Sequence, residues 1–426
     1  MRAGGLHPLK AIDERATELA AGDAQLRTAL FRFVDVMPAC RSVDDLAAHL
    51  AGFLSELPDP PLPIEAALKL SSTRAGRAAL GSAAAAGVRH IAHRFIVADT
   101  PHAAGDVLRA LWRDGVSASV DLLGEATVTA QEADHYAQRC ADALTALAEI
   151  SAALPARSRL QGDSIGPIPR ANLSVKVSAL TPLLRAEAPE LGERDAAPRL
   201  RALLRAAKRR GAHLHVDMES FDYCEATTEL VLSLLSEQEF RDGPSAGLVL
   251  QAYLVASPQL CERILSWARK CGRAQPLVVR LVKGAYWDHE VIDARQHGWR
   301  PPVFEDKRAC DRNFEALTVQ LLRARPAVRP AIASHNLRSV AHAIVANRVL
   351  GGEQRDVEFQ VLRGLGDALQ HALATNGYRV RAYCPIGDLV AGMAYLVRRL
   401  LENTSNESFL AEQASGRPLE ELLAAP

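Results

Sequence analysis

The chain has 426 residues, with 50 lysines and arginines against 50 aspartates and glutamates, so its formal charge at pH 7 is zero. That balance offers no field for nucleic acid, and a chain of this length buries the core of one large domain plus an accessory segment. No apolar run suits a bilayer span, the opening MRAGGLHPLKAIDERATELA lacks a signal-peptide core, and the seven cysteines show neither CxxC nor metal-type spacing, so a cytoplasmic protein with reduced thiols is expected.

Residues 1–86 read as a helical arm. ERATELAAG, LRTALFRFV and VDDLAAHLAGFLSEL carry apolar residues at helical spacing, and PDPPLP at Pro58–Pro63 interrupts them. No chemistry stands out there. From residue 87 to 426 the texture changes to short apolar strands separated by amphipathic helices. The strand candidates are HRFIV, SASVDLLG, LSVKVSAL, HLHVDME, GLVLQAYL, LVVRLVKG, AIASHN and VEFQVLRG; ADHYAQRCADALTALAEI and APRLRALLRAAKRRG are two of the helices between them. Eight such strands predict an α/β fold, a distorted (βα)8 TIM-like barrel with an N-terminal helical arm. A ninth short strand, VRAYCPIG, either closes the barrel or sits above it.

Several strands alternate in a common sense. In LSVKVS, Lys176 lies on the face opposite Val175 and Val177; in HLHVDME, His213, His215 and Asp217 oppose Leu214, Val216 and Met218. Gln251, Arg280 and His335 hold similar positions on three further strands. Charges inside a barrel are costly unless paired or bound to a ligand, and these lie toward the carboxyl ends of their strands, where barrel active sites are built. Singly, each has a plainer reading: Lys176 with Asp217 as a buried ion pair, His335 as a satisfied core histidine. The His213-Leu-His215 alternation suits a divalent metal, but no further set of ligands is evident on the other strands, so no metal is expected.

RLVKGAYWDHE follows a strand directly. Arg280 and Lys283 offer charge to a diphosphate, Gly284 admits close backbone approach, and Trp287 offers a flat face for a ring. No GxGxxG follows a first strand, so any dinucleotide binds the barrel and not a Rossmann domain. Near the end, Leu389, Met393, Leu396, Val397 and Leu400 form an apolar helical stripe. Tyr395, Arg398, Arg399 and Glu402 form a second stripe. Two arginines and a tyrosine on one turn can clamp a small carboxylate; the plain alternative is a solvated face with an Arg398–Glu402 pair.

Together, DLLGEA, LSVKVSAL, HVDMES, QAYL, VVRLVKGAYWDHE, ASHN, EFQVLRGLG, RAYCPIG and MAYLVRRLLENTSNESFL, in this order from about Asp121 to Leu410, resemble the proline dehydrogenase family, in particular the proline dehydrogenase domain of PutA-type proteins. The resemblance implies an FAD enzyme that oxidises L-proline to Δ1-pyrroline-5-carboxylate by hydride transfer to flavin N5, the first step of proline catabolism to glutamate. It implies that Asp217 and Arg280 are the catalytic residues, with Arg280 beside the flavin. Lys176, Arg398 and Arg399 would hold the substrate carboxylate, and Tyr286, Leu362, Tyr383 and Tyr395 would pack around its ring. Met218, Gln251, Arg280, Val282, Lys283, Gly284, Ala285, Trp287, Ser334, His335 and Glu402 would line the FAD site, and Glu125 would act as a gate.

The resemblance further implies a quinone or other electron acceptor and a pyrroline-5-carboxylate dehydrogenase, separate or as a fused domain. It leaves open a peripheral contact with the inner face of the membrane. Two departures stand out. DMES replaces the family's frequent DAEE, and Glu305-Asp306-Lys307 follows Val303-Phe304 where relatives often carry Thr-Arg-Lys, which bears on the adenosine side of FAD. The competing readings are a metal-dependent barrel hydrolase and a non-catalytic relative that binds proline or FAD.

Overall fold

The computed structural model describes residues 24–124, 126–388, 392 and 418–426. These fall into two compact units, residues 24–94 and residues 95–388 with 418–426.

The first unit is helical: Ala24–Val36, Val43–Ser55, Leu62–Ser71 and most of Arg74–Phe95. Ser42 starts the second helix by accepting the Asp45 N–H at 3.1 Å, and Asp44 and Asp45 place negative charge at its positive end. Leu26, Ala29, Phe33, Ala47, Leu50 and Leu54 are buried at helical spacing. Gly81 is a packing requirement: a Cβ there would meet the Val43 carbonyl oxygen at 2.1 Å.

The second unit is a closed barrel of eight parallel strands. In chain order they are β1 Val116–Leu122, β2 Asn172–Lys176, β3 His213–Asp217, β4 Ser245–Gln251, β5 Leu277–Val282, β6 Val328–Ala333, β7 Glu358–Leu362 and β8 Arg379–Ile386. The predicted barrel is present, with one correction in its membership. HRFIV contributes no barrel strand. The alanine-rich run before it carries the helix Arg74–Phe95 through His93, Arg94 and Phe95, and the sheet is met just beyond, through Val97 N–H to Pro385 O at 2.9 Å and an Ala98–Ile386 bridge. The eighth place belongs to VRAYCPI. β8 pairs with β1 along its whole length, from Val116↔Val380 to Leu122↔Ile386, and closes the barrel against β7. The opposite side of β1 is looser, with only Val120↔Leu173 and Asp121↔Ser174 paired to β2.

Alternation along the strands sorts side chains between two environments. Leu173, Val175, Leu214, Val216, Leu248, Leu250, Val279, Leu281, Ile332, Phe359 and Val380 join the core between sheet and helices. The alternate positions carry the polar residues. The helices that pack on this layer have clear start signals. Thr129 and Glu132 form a capping box for Ala130–Ala152, and Asn336 accepts from Ser339 N–H at 3.1 Å. Asp306 accepts from the Arg308 and Ala309 N–H groups, both at 3.1 Å, to cap Lys307–Arg323. The acidic residue in the unusual Glu305-Asp306-Lys307 segment therefore has a structural role.

The barrel floor is ionic. Asp163, in the short hairpin Gly162–Asp163 and Gly166–Pro167, receives Arg329 Nε at 2.8 Å and Arg379 Nη1 at 3.1 Å. One layer up, Glu358 receives Arg381 through Nε at 2.8 Å and Nη2 at 3.0 Å, and Gln360 Nε2 at 2.7 Å. All of these groups are buried. Each carboxylate accepts several charge-assisted hydrogen bonds, which is the condition for ions to persist inside a barrel.

Candidate active site at the barrel mouth

β2 and β3 end side by side with Lys176 and Asp217 in register. They do not pair with each other. Lys176 Nζ donates to Asp121 Oδ1 at 2.5 Å, from the end of β1, and Asp217 Oδ1 is bound by Arg280 Nη1 from β5. The second Asp217 oxygen accepts the Tyr383 hydroxyl at 2.6 Å, from β8. Arg280 also donates through Nη2 to Ser174 Oγ at 3.0 Å and Ser119 Oγ at 3.3 Å, and its guanidinium lies 5.3 Å from the Tyr383 ring centre. Five strands thus contribute to one cluster of two cations, two carboxylates and a phenol. Burial disfavours charge on Lys176, but the Asp121 and Asp217 carboxylates outweigh it and hold the ammonium above its ordinary pKa. Burial, reinforced by Asp121 and Asp217, holds the Tyr383 hydroxyl protonated well past the usual range.

Three buried polar atoms of this mouth have no partner among the described residues: Asp121 Oδ2, Arg280 Nε and Gln251 Oε1. Gln251 is oriented by its own Nε2, which donates to the Glu219 backbone carbonyl at 2.8 Å. Glu219 in turn accepts the Ser178 hydroxyl at 2.7 Å, and burial raises its carboxyl pKa. Buried polar atoms left open in a strand-end cluster are a signature of a polar ligand site.

Around the cluster, Lys283 pairs with Asp311 and lies over the Phe314 ring. Gly284 has φ +138°, and a Cβ there would stand 2.4 Å from the Tyr253 ring, so only glycine fits that close approach. Ala285 is exposed and Tyr286 half-buried beside it. Trp287 is 36% exposed, with its indole N–H donating to Phe304 O at 2.9 Å. His335 Nε2 accepts the Leu362 N–H at 2.9 Å, and Ser334 Oγ accepts the Asn336 N–H at 3.1 Å. Val282 packs against a satellite apolar cluster that contains Met218, Val249, Tyr253 and Leu254. Met218 sits within that cluster, apart from the ion pairs. Glu125, Tyr395, Arg398, Arg399 and Glu402 lie outside the described residues.

His213 and His215 hydrogen-bond to each other at 3.1 Å, and His213 also to Ser245 Oγ at 2.8 Å. Burial, with Arg381 nearby, lowers His213 to about 3, and burial with Arg280 lowers His215 well below its ordinary value. Both rings are thus pushed toward the neutral form inside the barrel, and His215 Nε2 has no partner among the described residues. Among the described residues no group of three or more histidines, cysteines or carboxylates could hold a metal ion.

Sequence reasoning gave no role to Asp121, which takes Lys176, or to Ser119 and Ser174, which accept from Arg280. The signal was present: in SASVDL, Ser117, Ser119 and Asp121 alternate with Ala118, Val120 and Leu122 as the polar residues do elsewhere.

A closed parallel barrel with an ionised cluster at the carboxyl ends of its strands has the architecture of the (βα)8 barrel enzymes. The chain belongs to the proline dehydrogenase family, whose model matches residues 104–412. The model of the proline utilization A N-terminal domain matches residues 5–95. The chain is 32% identical to the bifunctional protein PutA of Escherichia coli strain K12 over 80% of its own length and 25% of that protein. It is 31% identical to proline dehydrogenase 1 of Bacillus subtilis strain 168 over 77% of its own length and 92% of that protein. The crystal structure of proline utilization A from Bdellovibrio bacteriovorus inactivated by N-propargylglycine superposes with a TM-score of 0.88 at 34% identity, covering 96% of this chain and 40% of that one. The chain therefore spans about a quarter of the length of the PutA relatives it matches. Among the described residues no helix is long and apolar enough to cross a membrane.

Proposed function

We propose that this chain is a flavin-dependent proline dehydrogenase that converts L-proline to Δ1-pyrroline-5-carboxylate. The observation that carries the reading is the five-strand cluster of Lys176, Asp121, Asp217, Arg280 and Tyr383 at the mouth of a barrel of this family. The three open polar atoms Asp121 Oδ2, Arg280 Nε and Gln251 Oε1, with the Arg280 charge, fit a polar ring system such as the flavin of FAD. Gln251, Arg280, Val282, Lys283, Gly284, Ala285, Trp287, Ser334 and His335, with Glu402, are the residues that would hold it, and Met218 would support them from behind. FAD, when bound, supplies the acceptor for the hydride.

The protein's own groups fix the substrate and control charge. Lys176, kept protonated by Asp121, presents one cation to the proline carboxylate, and Arg398 and Arg399 present two more. Fixing the carboxylate orients the carbon next to the ring nitrogen for hydride loss. Tyr383, Leu362, Tyr286 and Tyr395 exclude water from the ring, with Glu125 as a gate. Asp217, gripped by Arg280 and Tyr383, would be the fixed carboxylate beside the substrate ring, and the amine would give up its proton to solvent before hydride loss. The electrons would pass on to a quinone or other acceptor, at the inner face of the membrane in this reading, and a pyrroline-5-carboxylate dehydrogenase, separate or fused, would consume the product. The protein acts in the cytoplasm.

Purified protein supplied with FAD, L-proline and an artificial acceptor should release pyrroline-5-carboxylate, trapped as its coloured adduct with o-aminobenzaldehyde; acceptor reduction without that adduct would exclude the reaction. A chelator should leave turnover unchanged, because among the described residues no group of three or more histidines, cysteines or carboxylates could hold a metal ion. Loss of activity restored by zinc would favour the metal hydrolase instead. Arg398→Met and Arg399→Met should each raise the apparent KM for proline roughly ten- to hundredfold, the equivalent of about 1.5–3 kcal/mol for one charge-assisted contact. KM values within about twofold of the parent, well below that range, would remove the clamp.

A further inference from the structure

At the end of the barrel opposite the mouth, a cavity of about 520 Å³ opens beside the first residues of β5 and β6. It is lined by Arg269, Arg273, Arg323 and Arg325, with Trp267 and with Ile165 from the hairpin that carries Asp163. No carboxylate is among its lining residues. A volume of this size lies within the range of small-molecule sites, roughly 300–1,000 Å³.

The four arginines do not carry equal weight. Arg269 and Arg323 sit in the last turns of Ser257–Lys270 and Lys307–Arg323, where a cation offsets the negative end of the helix dipole, so their placement alone calls for no ligand. Arg325 is already engaged, by Asn347 Oδ1 at 3.0 Å and by Asp356 at 3.4 Å. Arg273 differs. It lies beyond the helix end, and only its Nη2 is used, donating to Pro244 O at 2.5 Å. Its Nε and Nη1 are buried with no partner among the described residues, and burial without a facing carboxylate lowers its pKa to about 10. An unpaired buried guanidinium is costly, and an anion would relieve it.

We propose that this cavity binds a small polyanion, a molecule with two or more anionic oxygens that meets the under-paired guanidinium of Arg273 on one side and the exposed charges of Arg269 and Arg323 on the other. Guanidinium groups suit both phosphate and carboxylate oxygens, so phosphate esters and di- or tricarboxylates share this chemistry. The site is independent of the mouth and of the flavin reading.

Calorimetric titration of the full chain, with and without added FAD, tests it, with inorganic pyrophosphate and citrate as separate probes at fixed ionic strength. Saturable one-site binding of either probe is expected, and the probe that binds more tightly tells phosphate from carboxylate. Arg273→Gln should weaken that binding by about tenfold or more, the loss of one charge-assisted contact. Arg323→Gln, an exposed position that leaves the fold intact, should weaken it less, and Arg205→Gln, already paired with Glu239, should leave it unchanged. Absence of saturable binding by both probes would overturn the proposal. So would binding that survives Arg273→Gln and Arg323→Gln but is lost in Lys283→Met, because the probe would then be reporting the mouth.

Discussion

Asp217→Ala should lower kcat/KM for proline by at least about a hundredfold, because it removes the acceptor of two strong hydrogen bonds worth roughly 1.5–3 kcal/mol each when charge-assisted. Its oxygens hold Arg280 Nη1 and, at 2.6 Å, the Tyr383 hydroxyl. Without them the buried guanidinium keeps only the Ser119 and Ser174 hydroxyls, and the mouth gains one net positive charge. Asp217→Asn separates position from charge: it retains an oxygen for Tyr383 but neutralises the partner of Arg280. It should fall between the parent and the alanine variant. Steady-state kinetics at several proline concentrations check the order. Both variants within about threefold of the parent, far from the expected loss, would place Asp217 in a purely structural pair.

Glu358→Gln should destabilise the barrel by about 3–5 kcal/mol, the range for breaking one side of a buried ion pair. The side chain is buried, accepts Arg381 in a fork and lies 3.8 Å from Arg379. Its neutralisation leaves Arg381 without a facing carboxylate and leaves Arg379 to Asp163, which Arg329 already shares. The same group sets a pH dependence. Burial alone would raise the Glu358 pKa, but Arg381 and Arg379 win and lower it from 4.5 to about 2. A depressed pKa means that the stabilisation is complete above the unfolded value and is lost as pH falls from about 4.5 toward 2, about 3 kcal/mol across that interval. Urea midpoints measured between neutral pH and pH 3 should fall less steeply in Glu358→Gln than in the parent. Parallel curves with equal midpoints at pH 7 would show that the ionic floor contributes nothing.

The barrel was legible because alternation with helices is a long-range pattern, repeated in every strand. Its edges were not: HRFIV and VRAYCPIG have similar composition, and only the alanine-rich helix ahead of the first, together with the full β1–β8 ladder of the second, decides between them. At the site, parity along each strand picked out Lys176, Asp217, Gln251 and Arg280. Parity cannot choose partners. Lys176 and Asp217 are in register, yet each is taken by a residue from another strand, since side chains inside a closed barrel meet across its interior as well as along the sheet. Met218 stands on the opposite face of β3 by the same parity and packs with Val249 and Tyr253, which its neighbour in sequence could not reveal. The floor arginines Arg329, Arg379 and Arg381 follow the same alternation, but they lie toward the amino ends of their strands, away from the carboxyl ends where barrel chemistry is built.

The proposed function requires the charged mouth to hold FAD and deliver proline to it. The visible spectrum of FAD-loaded protein, recorded without oxygen before and after L-proline, tests this directly. The account predicts a flavin absorbance that bleaches on addition of L-proline and does not bleach with Arg398→Met and Arg399→Met combined at the same low proline concentration. A protein that takes up no FAD, or one whose flavin absorbance is unmoved by saturating L-proline, would contradict it.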